Sequence, residues 1–89
     1  MFASNLETFA ERVKPQLVMI SAGFDGHAED DMAHFNLREA DYAWITRQLH
    51  DLAVKHAHNR IVSCLEGGYS LSALGRSVGT HIDGLIGQY

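Results

Sequence analysis

Two short apolar runs, Leu17-Val18-Met19-Ile20 and Ile61-Val62-Ser63-Cys64-Leu65, constrain this chain more than any other feature. A strand wetted on one face alternates apolar with polar residues, whereas a run without alternation fits a strand covered on both faces in a parallel sheet. Parallel neighbours need a crossover, and the segment between the runs supplies one. Asn36 followed by Glu39 has the form of a capping pair, and Tyr42, Ile45, Leu49, Leu52 and Ala53 recur at helical spacing, so the pattern predicts a helix from about Leu37 to His56 with those residues as its buried stripe. Strand, helix, strand in that order is a βαβ unit with a right-handed crossover.

Helices are expected on either side. Phe2, Leu6, Phe9, Ala10 and Val13 follow a helical period that ends before Pro15, with Ser4 and Glu7 spaced as a capping box. Gly67 and Gly68 close the second strand with a turn of unusual backbone angles or close approach. A last helix from about Leu71 buries Leu71, Leu74, Val78, Ile82 and Leu85, while Gly75 and Gly79 leave a flat side where another backbone could approach. The expected class is α/β, a parallel βαβ unit with flanking helices, and one small domain is the ceiling for residues 1–89.

An 89-residue chain buries about 60 to 65% of its unfolded surface, which favours cover from a neighbouring element or a second copy. A net charge of -4 and seven scattered Lys and Arg residues form no basic stripe, which argues against direct nucleic-acid binding. No apolar run approaches the roughly 18 residues that span a bilayer, and no signal peptide is visible, so a soluble chain without membrane contact is expected. A single cysteine, Cys64, excludes an internal disulfide and fits a reducing, cytoplasmic compartment, as a small core residue. Histidines at 27, 34, 50, 56, 58 and 81 form no compact ligand motif and are expected mostly at the surface.

Ligands of open parallel sheets bind beyond the carboxyl ends of the strands. Asp25 stands four positions beyond Ser21 and Tyr69 four beyond Leu65, so both strands deliver a reactive side chain to one rim. Ser21-Ala22-Gly23-Phe24-Asp25 with Asp30 and Met32, and then Leu65-Glu66-Gly67-Gly68-Tyr69, resembles two signature segments of the histone deacetylase and acetylpolyamine amidohydrolase family. The likeness runs from about Pro15 to the C-terminus, and Glu66 before the glycines looks closer to the class II and bacterial branch.

The resemblance implies part of a three-layer αβα arginase-deacetylase fold and a zinc-dependent hydrolysis of acetyl-lysine or acetylpolyamine amides. It implies Asp25 as one of three protein ligands of Zn2+, Tyr69 as the catalytic hydroxyl opposite the metal, and Gly67, Gly68 and Met32 beside the substrate tunnel. Phe24 would pack rather than contact substrate. Asp30 matches an aspartate that usually precedes proline, but Asp31 stands in the proline's place, so the loop lacks that restraint. The family's other two ligands and its pair of adjacent histidines have no counterpart before Ser21. A single carboxylate does not hold zinc tightly, so the isolated chain is expected to be inactive and to need the rest of a catalytic domain.

Some residues invite plainer readings. His27 is expected in solvent, Glu66 hydrogen-bonded to nearby amides, His56 and His58 against the carbonyls of a helix end, and Trp44 packed on the sheet or a neighbour. Two rivals to the amidohydrolase are a non-catalytic interaction module, using sheet edges and the Gly75 and Gly79 face, and a small histidine-rich metal-binding protein.

Overall fold

The computed structural model describes residues 2–32 and 35–87, except for the side chains of Phe2 and Ala3; His34 lies outside the described residues. Among the described residues five elements follow one another: α1 (Phe2–Val13), β1 (Val18–Ala22), α2 (Glu39–His56), β2 (Ile61–Leu65) and α3 (Leu71–Leu85). The strands pair in parallel, Val18 opposite Ile61 through Ala22 opposite Leu65, with α2 as the crossover. The expected βαβ unit is present, and β1 runs two residues further than the apolar run suggested.

The helix ends are chosen by geometry more than by the expected caps. Ser4 lies inside α1, where its carbonyl accepts a hydrogen bond from Thr8 Oγ1 at 3.0 Å. Glu7 instead ties α1 to the end of α2, accepting from Lys55 Nζ at 2.6 Å and meeting His56 Nε2 at 3.0 Å. His56 thus faces a carboxylate rather than the helix carbonyls, and His58 is exposed. Lys14, at φ 55°, and Pro15 end α1. At the start of α2 the N-cap is Arg38, not Asn36, and its amide donates to the Asp41 carboxylate at 2.8 Å.

Ala22, Phe24 and Tyr42 form the core, flanked by Ile20, Leu37, Leu74 and Val78. Phe24 packs its ring 5.1 Å from Tyr42 and 5.7 Å from His81, centroid to centroid, and so is a packing residue. On α2, Tyr42, Leu52 and Ala53 are buried as the period predicted, Thr46 joins them, and Ile45 and Leu49 are half-buried. Trp44 turns largely outward, at 47% exposure.

The buried face of α3 differs from expectation. Ala73, Ser77, His81 and Gly84 are buried, while Leu71 is 81% and Ile82 49% exposed. The cause is close helix packing: a Cβ on Gly84 would lie 2.6 Å from Thr46 Cγ2, so α3 meets α2 through small residues, while Leu74 and Val78 flank the core and Leu71 and Ile82 turn aside. Among the described residues nothing lies within 4 Å of a Cβ added at Gly75 or Gly79, so the close approach expected there occurs at Gly84.

Helices α2 and α3 cover one face of the sheet, the one bearing Ile20, Ala22 and Ser63. On the other face Met19 (71% exposed) lies opposite Val62 (46%), and Ser21 opposite Cys64, all open among the described residues. The two-sided cover and the core cysteine suggested by the sequence are therefore absent here, because strand alternation sends every second side chain to a face that no described element covers.

Candidate active site

Beyond the carboxyl ends of β1 and β2 the chain continues as two loops that stay zipped together. Glu66 N donates to Ala22 O at 2.9 Å and Phe24 N to Gly67 O at 2.7 Å, extending the pairing past the strands. This closure brings the half-buried Asp25 carboxylate against Gly67, where an added Cβ would stand 3.1 Å from Asp25 Cγ and 3.2 Å from Oδ1. Gly67 is thus the room that the carboxylate needs. Gly68 is favoured by its φ of 151°; a Cβ there would also lie 2.6 Å from Leu74 Cδ1, the movable end of a side chain.

A second carboxylate joins the loops from within. Asp30 is 4% exposed; its Oδ1 accepts from Met32 N at 2.9 Å, and its Oδ2 from Tyr69 N at 2.6 Å and Ser70 N at 3.1 Å. Burial pushes its carboxyl up, but the three backbone amides, with the nearby His27, hold it below the ordinary 3.8. The backbones of Met32 and Tyr69 are therefore held on one carboxylate, five residues along the loop from Asp25. Met32 and Tyr69 project outward, at 63% and 59% exposure.

Behind the rim lies His27, fully buried rather than in solvent. Its Nδ1 accepts from Glu29 N at 3.0 Å, which leaves the ring proton on Nε2, paired with the Glu39 carboxylate. With both nitrogens engaged, the Asp25-Gly26-His27 sequence is not a ligand pair. Hydrogen bonding to His27 holds the Glu39 carboxyl below its ordinary value against the opposing effect of burial, with Arg76 adding to the same side. Arg76 also pairs with Glu29, so α3, α2 and the Asp25 loop share one ionic cluster. The bonds Ala28 N to Leu37 O (2.7 Å) and Leu37 N to Gly26 O (3.0 Å) fasten the loop where it turns toward α2.

Two further polar groups stand beneath the site. The buried Tyr42 hydroxyl lies 3.3 Å from where a Cβ on Gly26 would stand, and its pKa is raised by burial first and then by the charges of Asp25 and Asp30. His81 bridges Thr46 Oγ1 and Ser63 Oγ, each at 2.8 Å, and locks α2, β2 and α3 together. Sequence reasoning missed His27, Asp30 and His81 as buried groups; for His81 the signal was its place four residues after Ser77 on one helical face. Glu66 accepts from Ser21 Oγ at 2.7 Å, a hydroxyl in place of the expected amides.

No group of three or more His, Cys, Asp or Glu side chains among the described residues could hold a metal ion. Asp25 suits one ligand position, as a carboxylate at an open rim, but a catalytic zinc takes three protein ligands and keeps a fourth place open. The described residues alone do not make a zinc centre.

The family model of the histone deacetylase domain matches residues 1–85, so the likeness includes α1 and begins earlier than Pro15. Type-2 histone deacetylase 2 of Dictyostelium discoideum is 44% identical over 79 residues, which are 85% of this chain and 5% of that protein. The histone deacetylase-like amidohydrolase of Pseudomonas aeruginosa is 40% identical over 60 residues, 67% of this chain and 16% of that protein. Among solved structures, the crystal structure of the HDA15 HD domain superposes with a TM-score of 0.80 at 32% identity, covering 90% of this chain and 21% of that one. The chain thus spans a small fraction of the length of each of these relatives.

Proposed function

This chain belongs to the histone deacetylase domain family, and on that premise we propose that it supplies one metal ligand and the catalytic hydroxyl of a zinc-dependent amidohydrolase acting on acetyl-lysine or acetylpolyamine. The observation that supports the reading is the closure of the two loops, with the Asp25 carboxylate against Gly67 and the Tyr69 backbone amide on Asp30, which holds the backbone of both residues on neighbouring loops.

In this reading Asp25 would hold one position of a zinc ion whose other two protein ligands come from residues outside this chain, and an ion so held would supply polarisation of the scissile carbonyl. Tyr69 donates its hydroxyl hydrogen to the oxygen that gains charge as the amide carbon becomes tetrahedral. Gly67 and Gly68 let the backbone run close to the acyl chain, and Met32 forms part of the wall around it. The chain alone is inactive, because one carboxylate cannot retain the metal, and its partner is the remainder of a catalytic domain. No helix among the described residues is long and apolar enough to cross a membrane; a cytoplasmic setting is the reading of its single cysteine.

The test joins this chain to an upstream segment carrying an Asp-x-His and a His-His pair and follows hydrolysis of an acetyl-lysine peptide. Tyr69→Phe should lower kcat about a hundredfold to a thousandfold, the usual cost of losing one oxyanion donor. Unchanged kcat in Tyr69→Phe, or robust zinc-dependent turnover by the 89-residue chain alone, overturns the reading. A second reading, an interaction module without catalysis, is favoured by the open Met19 and Val62 face; it requires that the joined protein bind its partner yet hydrolyse nothing.

A further inference from the structure

Asp30 uses both carboxylate oxygens on the backbone of the site. One accepts from Met32 N, two residues on, and the other from Tyr69 N and Ser70 N, 39 and 40 residues away. Ser70 is the N-cap of α3, yet its own side chain makes no cap bond. The amides of that N-cap and of the residue before it are met by a charged acceptor from the other loop, a stronger bond than a neutral acceptor makes.

We propose that Asp30 is the positioning residue of this site: with one carboxylate it grips the amides of Met32, Tyr69 and Ser70 and so sets the tyrosine hydroxyl, the Met32 wall and the Asp25 loop in a single register. The proposal rests on the deacetylase reading in one respect, that the Tyr69 hydroxyl does chemistry.

The surroundings explain why such a grip is needed. Gly67 and Gly68 immediately precede Tyr69, and neither carries a side chain that could fix the loop. On the other side Asp31 follows Asp30, so no proline ring stiffens that turn. Tyr69 itself is 59% exposed and receives little restraint from packing. Phe24 N on Gly67 O closes the loops two residues earlier, but among the described residues the amide on Asp30 is the hydrogen bond that ties Tyr69 itself to the Asp25 loop. A misplacement of about 1 Å at a reacting group can cost about a hundredfold in rate, so the loss of this contact should appear in the chemical step more than in substrate binding.

Two measurements on Asp30→Asn decide the matter. In the 89-residue chain, amide hydrogen exchange at Tyr69 and Ser70 should accelerate by about tenfold or more, while Phe24 N, bonded to Gly67 O, keeps its protection. Wild-type Tyr69 and Ser70 amides that exchange as fast as an unstructured chain, or rates unchanged by the substitution, overturn the proposal. Should the variant fail to fold, the wild type decides: on acidification the amide protons of Met32, Tyr69 and Ser70 should shift with one shared midpoint below the ordinary 3.8, and separate midpoints or no shift refute the grip. In the joined catalytic protein, Asp30→Asn should lower kcat about tenfold to a hundredfold with KM little moved, and should add almost nothing to Tyr69→Phe. Fully additive losses overturn the proposal, as does unchanged kcat. If the wild-type joined protein hydrolyses no amide, the deacetylase reading fails, and the exchange data still judge the contact.

Discussion

Replacing glycine by alanine at two positions of α3 should move stability in opposite directions. At Gly79 an added Cβ meets nothing within 4 Å, so Gly79→Ala gains the helix preference for alanine, about 0.5 to 1 kcal/mol, at no packing cost. At Gly84 the same methyl would stand 2.6 Å from Thr46 Cγ2 and 3.0 Å from its Cβ, both parts of a stiff β-branched side chain. Thr46 cannot rotate away without losing its 2.8 Å bond to His81 Nδ1, worth about 1 kcal/mol. Overpacking adds about 1 to 3 kcal/mol, which outweighs a propensity gain that is already small at Gly84, one residue before the helix ends. The net loss for Gly84→Ala is therefore about 1 to 4 kcal/mol. With about 4 to 8 °C per kcal/mol for a domain of this size, calorimetry should show Gly79→Ala melting a few degrees above wild type and Gly84→Ala well below it. A Gly79→Ala variant that melts lower would refute the reasoning, since it would mean that a backbone already lies against that face.

Two more outcomes follow from buried and open side chains. Burial holds the His81 imidazole below its ordinary 6.5, so the folded state prefers the neutral ring and the unfolded state binds more protons under that value. Stability from this group is complete above 6.5 and declines as pH falls through it, so the urea midpoint should drop between about pH 7.5 and about pH 5.5. His81→Asn should flatten that slope, and an equal slope in both proteins would show that His81 is not its source. Cys64 is exposed on the uncovered sheet face, so a thiol reagent should modify it in the native chain at a rate within about tenfold of a free cysteine. Much slower labelling would show that a second copy or another element covers Met19, Val62 and Cys64.

The sequence by itself determined the element types, their order and the two loops that follow the strands. Apolar period and run length are local properties, and they placed β2 at Ile61–Leu65 and the end of α2 at His56 as observed. The motifs around Asp25 and Tyr69 were equally legible, because each lies within a few residues of a strand end. Tertiary structure alone decided which faces were buried and which polar groups met. A helical stripe can rotate by a residue to let Gly84 meet Thr46, and that rotation exposes Leu71 and Ile82. Asp30 and Tyr69 stand 39 residues apart, and His81 and Thr46 35, so no local pattern could pair them. A buried charge or imidazole must find partners wherever the packed chain supplies them, and only the packed chain shows that Asp30 found the backbone of Tyr69.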